Sequence, residues 1–119
     1  MRKVEINSVI GKDLTARDRV KIKDTSAMVK LDEATKNGNV VITPDYFAVL
    51  TITSDEYEPR EAYVVVDKDG TFYYTGSSSF MSSFTEIYDE MGVEDYQISV
   101  YRKPSKKREG KDFIACTIV

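Results

Sequence analysis

"EAYVVVDKDGTFYYTGSSSFMSSFTEIYDEMG", residues 61–92, contains a change of period that decides the fold. Two β-rich runs flank Asp69-Gly70, a preferred tight-turn pair, so residues 61–76 read as a hairpin. Then the apolar spacing lengthens. Phe80, Phe84, Ile87, Tyr88 and Met91 recur at helical intervals. A serine before Phe80 can cap this helix, and Gly92 can close it.

The flanks extend the pattern. "YFAVLTITS" (46–54) is a strand, followed by the polar loop "SDEYEPR" (54–60). Downstream, "YQISVYRK" (96–103) and "KDFIACTIV" (111–119) are strands joined by "PSKKREG" (104–110). From residue 46 the order is strand, strand, strand, helix, strand, strand. That is the connectivity of an OB-fold: an all-β, five-stranded Greek-key barrel with a helix between its third and fourth strands. The rival is an α+β sandwich with the helix on an open sheet. The expected organisation is a single domain, residues 1–119. Residues 1–44 form an N-terminal β extension packed on a core barrel of residues 45–119. In the extension, residues 4–10 and 19–23 read as strands either side of Gly11. "DTSAMVKLDEATKNG" (24–38) reads as a short helix or irregular turn, with Ser26 as a cap, Met28 and Leu31 on one face, and Asn37-Gly38 as the stop.

Composition narrows the chemistry. At 119 residues the chain can bury a modest core without metals or disulfides. It has one cysteine, Cys116, and no histidine. Disulfide frameworks, histidine bases and the usual zinc sites are thereby excluded, and no metal or cofactor is expected. No apolar stretch suits a membrane span and no start resembles a signal peptide, so a cytoplasmic protein is expected. The carboxylate pairs Asp55/Glu56 and Glu94/Asp95 fall on expected loops with no phosphate-cradling glycine motif, which argues against a two-metal nuclease.

The net charge of −3 hides segregation: +4 over residues 1–30, −11 over 31–101, and +4 over 102–119. Basic ends bracket an acidic middle, and local clustering governs polyanion binding more than overall pI. In "RDRVKIK" (17–23), Arg17, Arg19, Lys21 and Lys23 alternate with Asp18, Val20 and Ile22. On a strand, the four cations would share one face at about 6.6–7 Å spacing, near the backbone repeat of an extended single strand. The same pattern also guards an edge strand against pairing. The last loop, "RKPSKKREGK" (102–111), adds Arg102, Lys103, Lys106, Lys107, Arg108 and Lys111 where an OB-fold places ligand contacts. With a two-residue turn, Tyr63, Phe72 and Tyr74 share the hairpin face of Asp67 and offer stacking platforms for bases; a one-residue slip would bury them. Tyr57, in the first–second loop, is a fourth candidate ring.

"LTARDRVKIKDTSA", "YFAVLTI", "YVVVDKDGTFYYTGSSSFMSSFTEIYDEM" and "GKDFIACTIV" together resemble small single-stranded-DNA-binding proteins encoded by phages of Gram-positive bacteria. The resemblance implies an OB-fold, single-stranded DNA bound with little sequence preference, and a role in phage replication or recombination. It further implies a homodimer or higher homo-oligomer in the host cytoplasm, and possible replication or recombination partners. The chain departs from the flexible acidic tail with which bacterial single-stranded-DNA-binding proteins end; it closes on "CTIV". Other readings of the same residues are a protein–protein module, such as a phage adaptor or host-modulating factor, and an RNA-binding OB-fold.

Overall fold

A computed structural model describes residues 2–92, 94–104 and 112–119. The fold is β-rich with short helices. In chain order the elements are β1 (Lys3–Ile10), α1 (Ala16–Lys23), a 3-10 turn (Thr25–Ala27), β2 (Val29–Lys30), α2 (Leu31–Ala34), a second 3-10 turn (Thr35–Asn37), β3 (Val40–Ile42), β4 (Pro44–Thr53), β5 (Arg60–Asp67), β6 (Phe72–Thr75), α3 (Ser78–Met91), β7 (Ile98–Pro104) and β8 (Asp112–Ile118). They form two compact units that interleave in sequence: Met1–Val29 with Asp45–Gly76, and Lys30–Pro44 with Ser77–Val119.

The first unit is built on a five-stranded sheet of order β1-β4-β5-β6-β2. β1 runs antiparallel to β4 from Lys3 opposite Thr53 to Ile10 opposite Phe47, with a bulge between Ile6 and Ser8. The bulged Asn7 donates its side-chain amide to Thr51 Oγ1 at 2.6 Å. Along β4, alternate residues Tyr46, Ala48 and Leu50 join Val64 and Val66 of β5 in one buried cluster. Ile22 of α1 and Met28 complete it, with Val4, Ile6, Val9, Leu14, Phe72 and Tyr74 packed around. Fully burying a side chain of Ile22's size stabilises by about 1.5–3 kcal/mol. Residues from the first 29 of the chain therefore pack on this sheet.

Its second element is not the expected strand. Residues 16–23 are helical. Thr15 is the N-cap: its hydroxyl oxygen accepts from the Asp18 N–H at 3.1 Å, and its own N–H donates to Asp18 Oδ2 at 3.1 Å. This capping box satisfies two otherwise orphaned donors and fixes where the helix begins. Those bonds to Thr15, helped by nearby Lys12, hold the Asp18 carboxyl below the usual carboxylate range. Only Ile22 among the helix's residues is buried, and Val20 is 71% exposed. The two-residue alternation thus lost to a local capping motif. Thr15→Ala is expected to destabilise the fold by about 1 kcal/mol, read as a fall of roughly 3–6 °C in melting temperature. An unchanged melting curve would mean that the box stabilises nothing.

The β5–β6 hairpin also departs from expectation, by one residue. Val66 pairs with Phe72, Val65 with Tyr73 and Val64 with Tyr74. The loop has three residues, not two. Gly70 N–H donates to Asp67 O and Asp67 N–H to Thr71 O, each at 2.9 Å. Asp67 Oδ1 accepts from Asp69 N–H at 3.0 Å, and Asp69 Oδ1 from Thr71 N–H at 2.8 Å. Gly70 takes φ +92°, which a side chain would strain. Aspartates that bond their own backbone favour this longer turn. The slip exchanges the faces, so Phe72 and Tyr74 turn toward the buried cluster.

The second unit holds a three-stranded sheet of order β3-β7-β8, with α3 against β8. Val100 lies opposite Cys116 and Arg102 opposite Ile114. As expected, α3 is capped by Ser77, whose Oγ accepts from Phe80 N–H at 3.1 Å, and closed by Gly92. Phe80, Met81 and Phe84 are buried, while Ile87, Tyr88 and Met91 are partly buried. Ser79 Oγ donates to Ile114 O at 3.0 Å, and Ser83 Oγ accepts from Cys116 N–H at 3.0 Å, pinning helix to strand. Burial raises the Cys116 thiol above its ordinary value, consistent with a packed apolar residue.

Candidate nucleic-acid interface

The four cations of "RDRVKIK" are all exposed, but a helix distributes them differently from a strand. At 100° per residue, Arg17 and Lys21 lie about 40° apart, as do Arg19 and Lys23, and the two pairs face nearly opposite ways. The single row of four is therefore replaced by two pairs, each about 6 Å apart along the axis. Val20 occupies the outward side opposite Ile22, between Arg17 and Lys23.

Lys21 borders two cavities beside the hairpin tip. One, of about 390 Å³, is lined by Lys21, Asp24, Met28, Val29, Thr71 and Phe72, among others. The other, of about 190 Å³, shares Lys21, Gly70 and Phe72 with the first and adds Lys12, Tyr46 and Lys68. Asp18, Asp45 and Asp67 line it too. Lys12 Nζ lies 5.0 Å from the centre of the Tyr46 ring and 3.5 Å from Asp18 Oδ2. Burial, then the charges of Asp18 and Asp45, raise the Tyr46 hydroxyl's pKa, so the ring stays neutral under that ammonium. Of the residues singled out in the sequence, Lys21 and Phe72 are thus brought together.

The other rings separate. Tyr63 is only 8% exposed, and its hydroxyl donates to Glu61 Oε2 at 3.3 Å. It lies on the hairpin face opposite Phe72 and Tyr74, so the expected three-ring outer face does not form. Tyr74 is half-buried on the core cluster, and Phe72 packs there while still lining both cavities. Tyr57, 68% exposed, lines a separate cavity of about 350 Å³ with Arg2, Arg60, Asp55, Glu56 and Glu58.

In the basic tail, Arg102 is partly buried and internally engaged. Its Nη2 donates to Asp32 O at 3.3 Å and its Nη1 lies 3.7 Å from Asp112 Oδ2. Those partners make it a structural cation on β7 and leave a phosphate little of its guanidinium. Lys103 is exposed. Lys106, Lys107, Arg108 and Lys111 lie outside the described residues.

Sequence reasoning missed Lys12, Lys68 and Tyr46. Lys68 sits inside the "DKDG" turn, where the three-residue loop places it by the groove. No pattern marks Lys12 beyond its place after Gly11. Among the described residues, no group of three or more His, Cys, Asp or Glu could hold a metal ion, and no helix is long and apolar enough to cross a membrane. Comparison with protein-family models, with curated proteins and with solved structures gives no match.

Proposed function

We propose that this chain is a non-enzymatic OB-fold protein that binds single-stranded DNA with little sequence preference, in the replication or recombination of a phage genome. The observation that carries the reading is α1. Its eight residues bear net +3, with all four cations exposed. Arg17/Lys21 and Arg19/Lys23 are like-charge pairs four residues apart, each unfavourable by about 0.2–0.5 kcal/mol. A polyanion relieves that repulsion and releases its own condensed counterions. A role in solubility alone would not require one of these cations, Lys21, to line cavities shared with the Phe72 ring.

The pairing order supports the finer fold. β3 and β4 are separated only by Thr43; β3 pairs with β7, while β4 neighbours β5. Within the first unit β4-β5-β6 follows the order of the expected barrel's first three strands, and within the second β7 pairs with β8, its last two. On this reading phosphates follow the Arg17/Lys21 side of α1, with Lys68 nearby, and a base reaches Phe72. Nothing among these residues is dedicated to a 2′-hydroxyl, so preference for DNA over RNA is tested directly.

The experiment is a fluorescence-anisotropy titration of a labelled oligothymidine at several salt concentrations, with unlabelled RNA as competitor. Binding at low salt is expected, with log affinity falling linearly against log salt at about −0.7 per neutralised phosphate. Absence of binding at low salt overturns the proposal. Equal competition by RNA moves the assignment to single strands of either kind.

A further inference from the structure

The larger cavity at the hairpin tip has a composition that a phosphate track does not explain. Met28 and Val29 give it aliphatic wall, Phe72 gives it an aromatic one, and its carboxylate is Asp24. Asp24 Oδ1 accepts from the Ser26 hydroxyl at 3.0 Å, and the residue is otherwise exposed. A phosphate would be repelled by that carboxylate. A nucleobase would not: its face stacks on the ring, and an exocyclic amino group on its edge donates to the carboxylate. The volume of about 390 Å³ leaves room for one base.

We propose that this cavity takes one unstacked base of the bound strand and favours bases that carry an exocyclic amino group. The proposal rests on the single-strand reading above and refines it. Cytosine presents an amino group where thymine presents a carbonyl, so the two pyrimidines differ in the group offered to Asp24; thymine also carries a C5 methyl, whose contribution does not depend on Asp24 and so persists in the Asp24→Asn comparison. Lys21, on the border of both cavities, meets the phosphate leading to that base. Phe72 accepts either base, because stacking carries little sequence preference. Discrimination thus belongs to Asp24 and general affinity to Phe72.

The test compares length-matched oligocytidine and oligothymidine deoxynucleotides on the full chain at fixed salt and pH 7. The wild type is expected to bind the cytidine strand roughly fivefold tighter. Asp24→Asn should bring the two within about twofold, because an amide can donate as well as accept. Phe72→Leu, which keeps an apolar side chain on the core, should weaken both strands by roughly fivefold or more. Equal wild-type affinities, or a ratio that survives Asp24→Asn, overturn the inference and leave the single-strand reading standing. Binding of neither strand removes both.

Discussion

Arg17→Gln together with Lys21→Gln is expected to weaken single-strand binding roughly tenfold at about 0.2 M salt and roughly sixtyfold at about 0.05 M, lowering the salt slope by about 1.4. The figures follow from two phosphate contacts at about 0.7 each for a single strand. Arg19→Gln with Lys23→Gln should have a distinctly smaller effect, because that pair points nearly the opposite way on α1. A strand bearing the same residues would make all four cations equivalent. The contrast between the two double variants therefore tests the helix and the interface together. Equal losses would mean that the bound strand contacts both sides of α1. No loss from either pair would remove α1 from the interface and with it the main support for the proposed function.

Which parts of this architecture were legible in the sequence follows from how local their causes are. α3 was read correctly at both ends because Ser77, Gly92 and the Phe80/Phe84 spacing act within one element. β4, β5 and β8 were legible as β-rich runs bounded by polar loops. α1 was not, although "TARD" contains its capping box, because the charge alternation after it imitates a strand of period two. Only one residue there, Ile22, reports to a core, and one apolar contact cannot establish a period. The hairpin faces turned on one residue of loop length. Asp69-Gly70 suits a two-residue turn, but Asp67 and Asp69 both bond backbone within the loop and select three. That slip is why Phe72 and Tyr74 meet the core cluster, and why Tyr63 lies on the other face. The Phe72 groove was beyond sequence reasoning for another reason. It joins residues 21–29 to residues 70–72, and no local signal records that juxtaposition.

Phe80→Ala is expected to cost about 3–5 kcal/mol, the largest single-residue stability effect predicted for this chain. Phe80 is 0% exposed, and its ring stacks on Phe84 at 5.8 Å between centroids and 9° between planes. Truncation removes the transfer free energy of the ring and leaves a cavity that its surroundings fill only partly. They have little freedom to collapse, since Ser79 and Ser83 hold α3 to β8 through the Ile114 carbonyl and the Cys116 N–H. The neighbouring helix residue Ser82 is exposed, so the effect is specific to the inward face. Small domains are stable by only about 5–15 kcal/mol, so the loss consumes a large share. Urea unfolding should show a lower midpoint at unchanged slope. Tyr57→Ala, at a ring 68% exposed, should stay within about 0.5 kcal/mol of wild type. A loss below about 1 kcal/mol for Phe80→Ala would mean that α3 does not cover the β3-β7-β8 sheet as described, because a fully enclosed phenylalanine cannot be removed so cheaply.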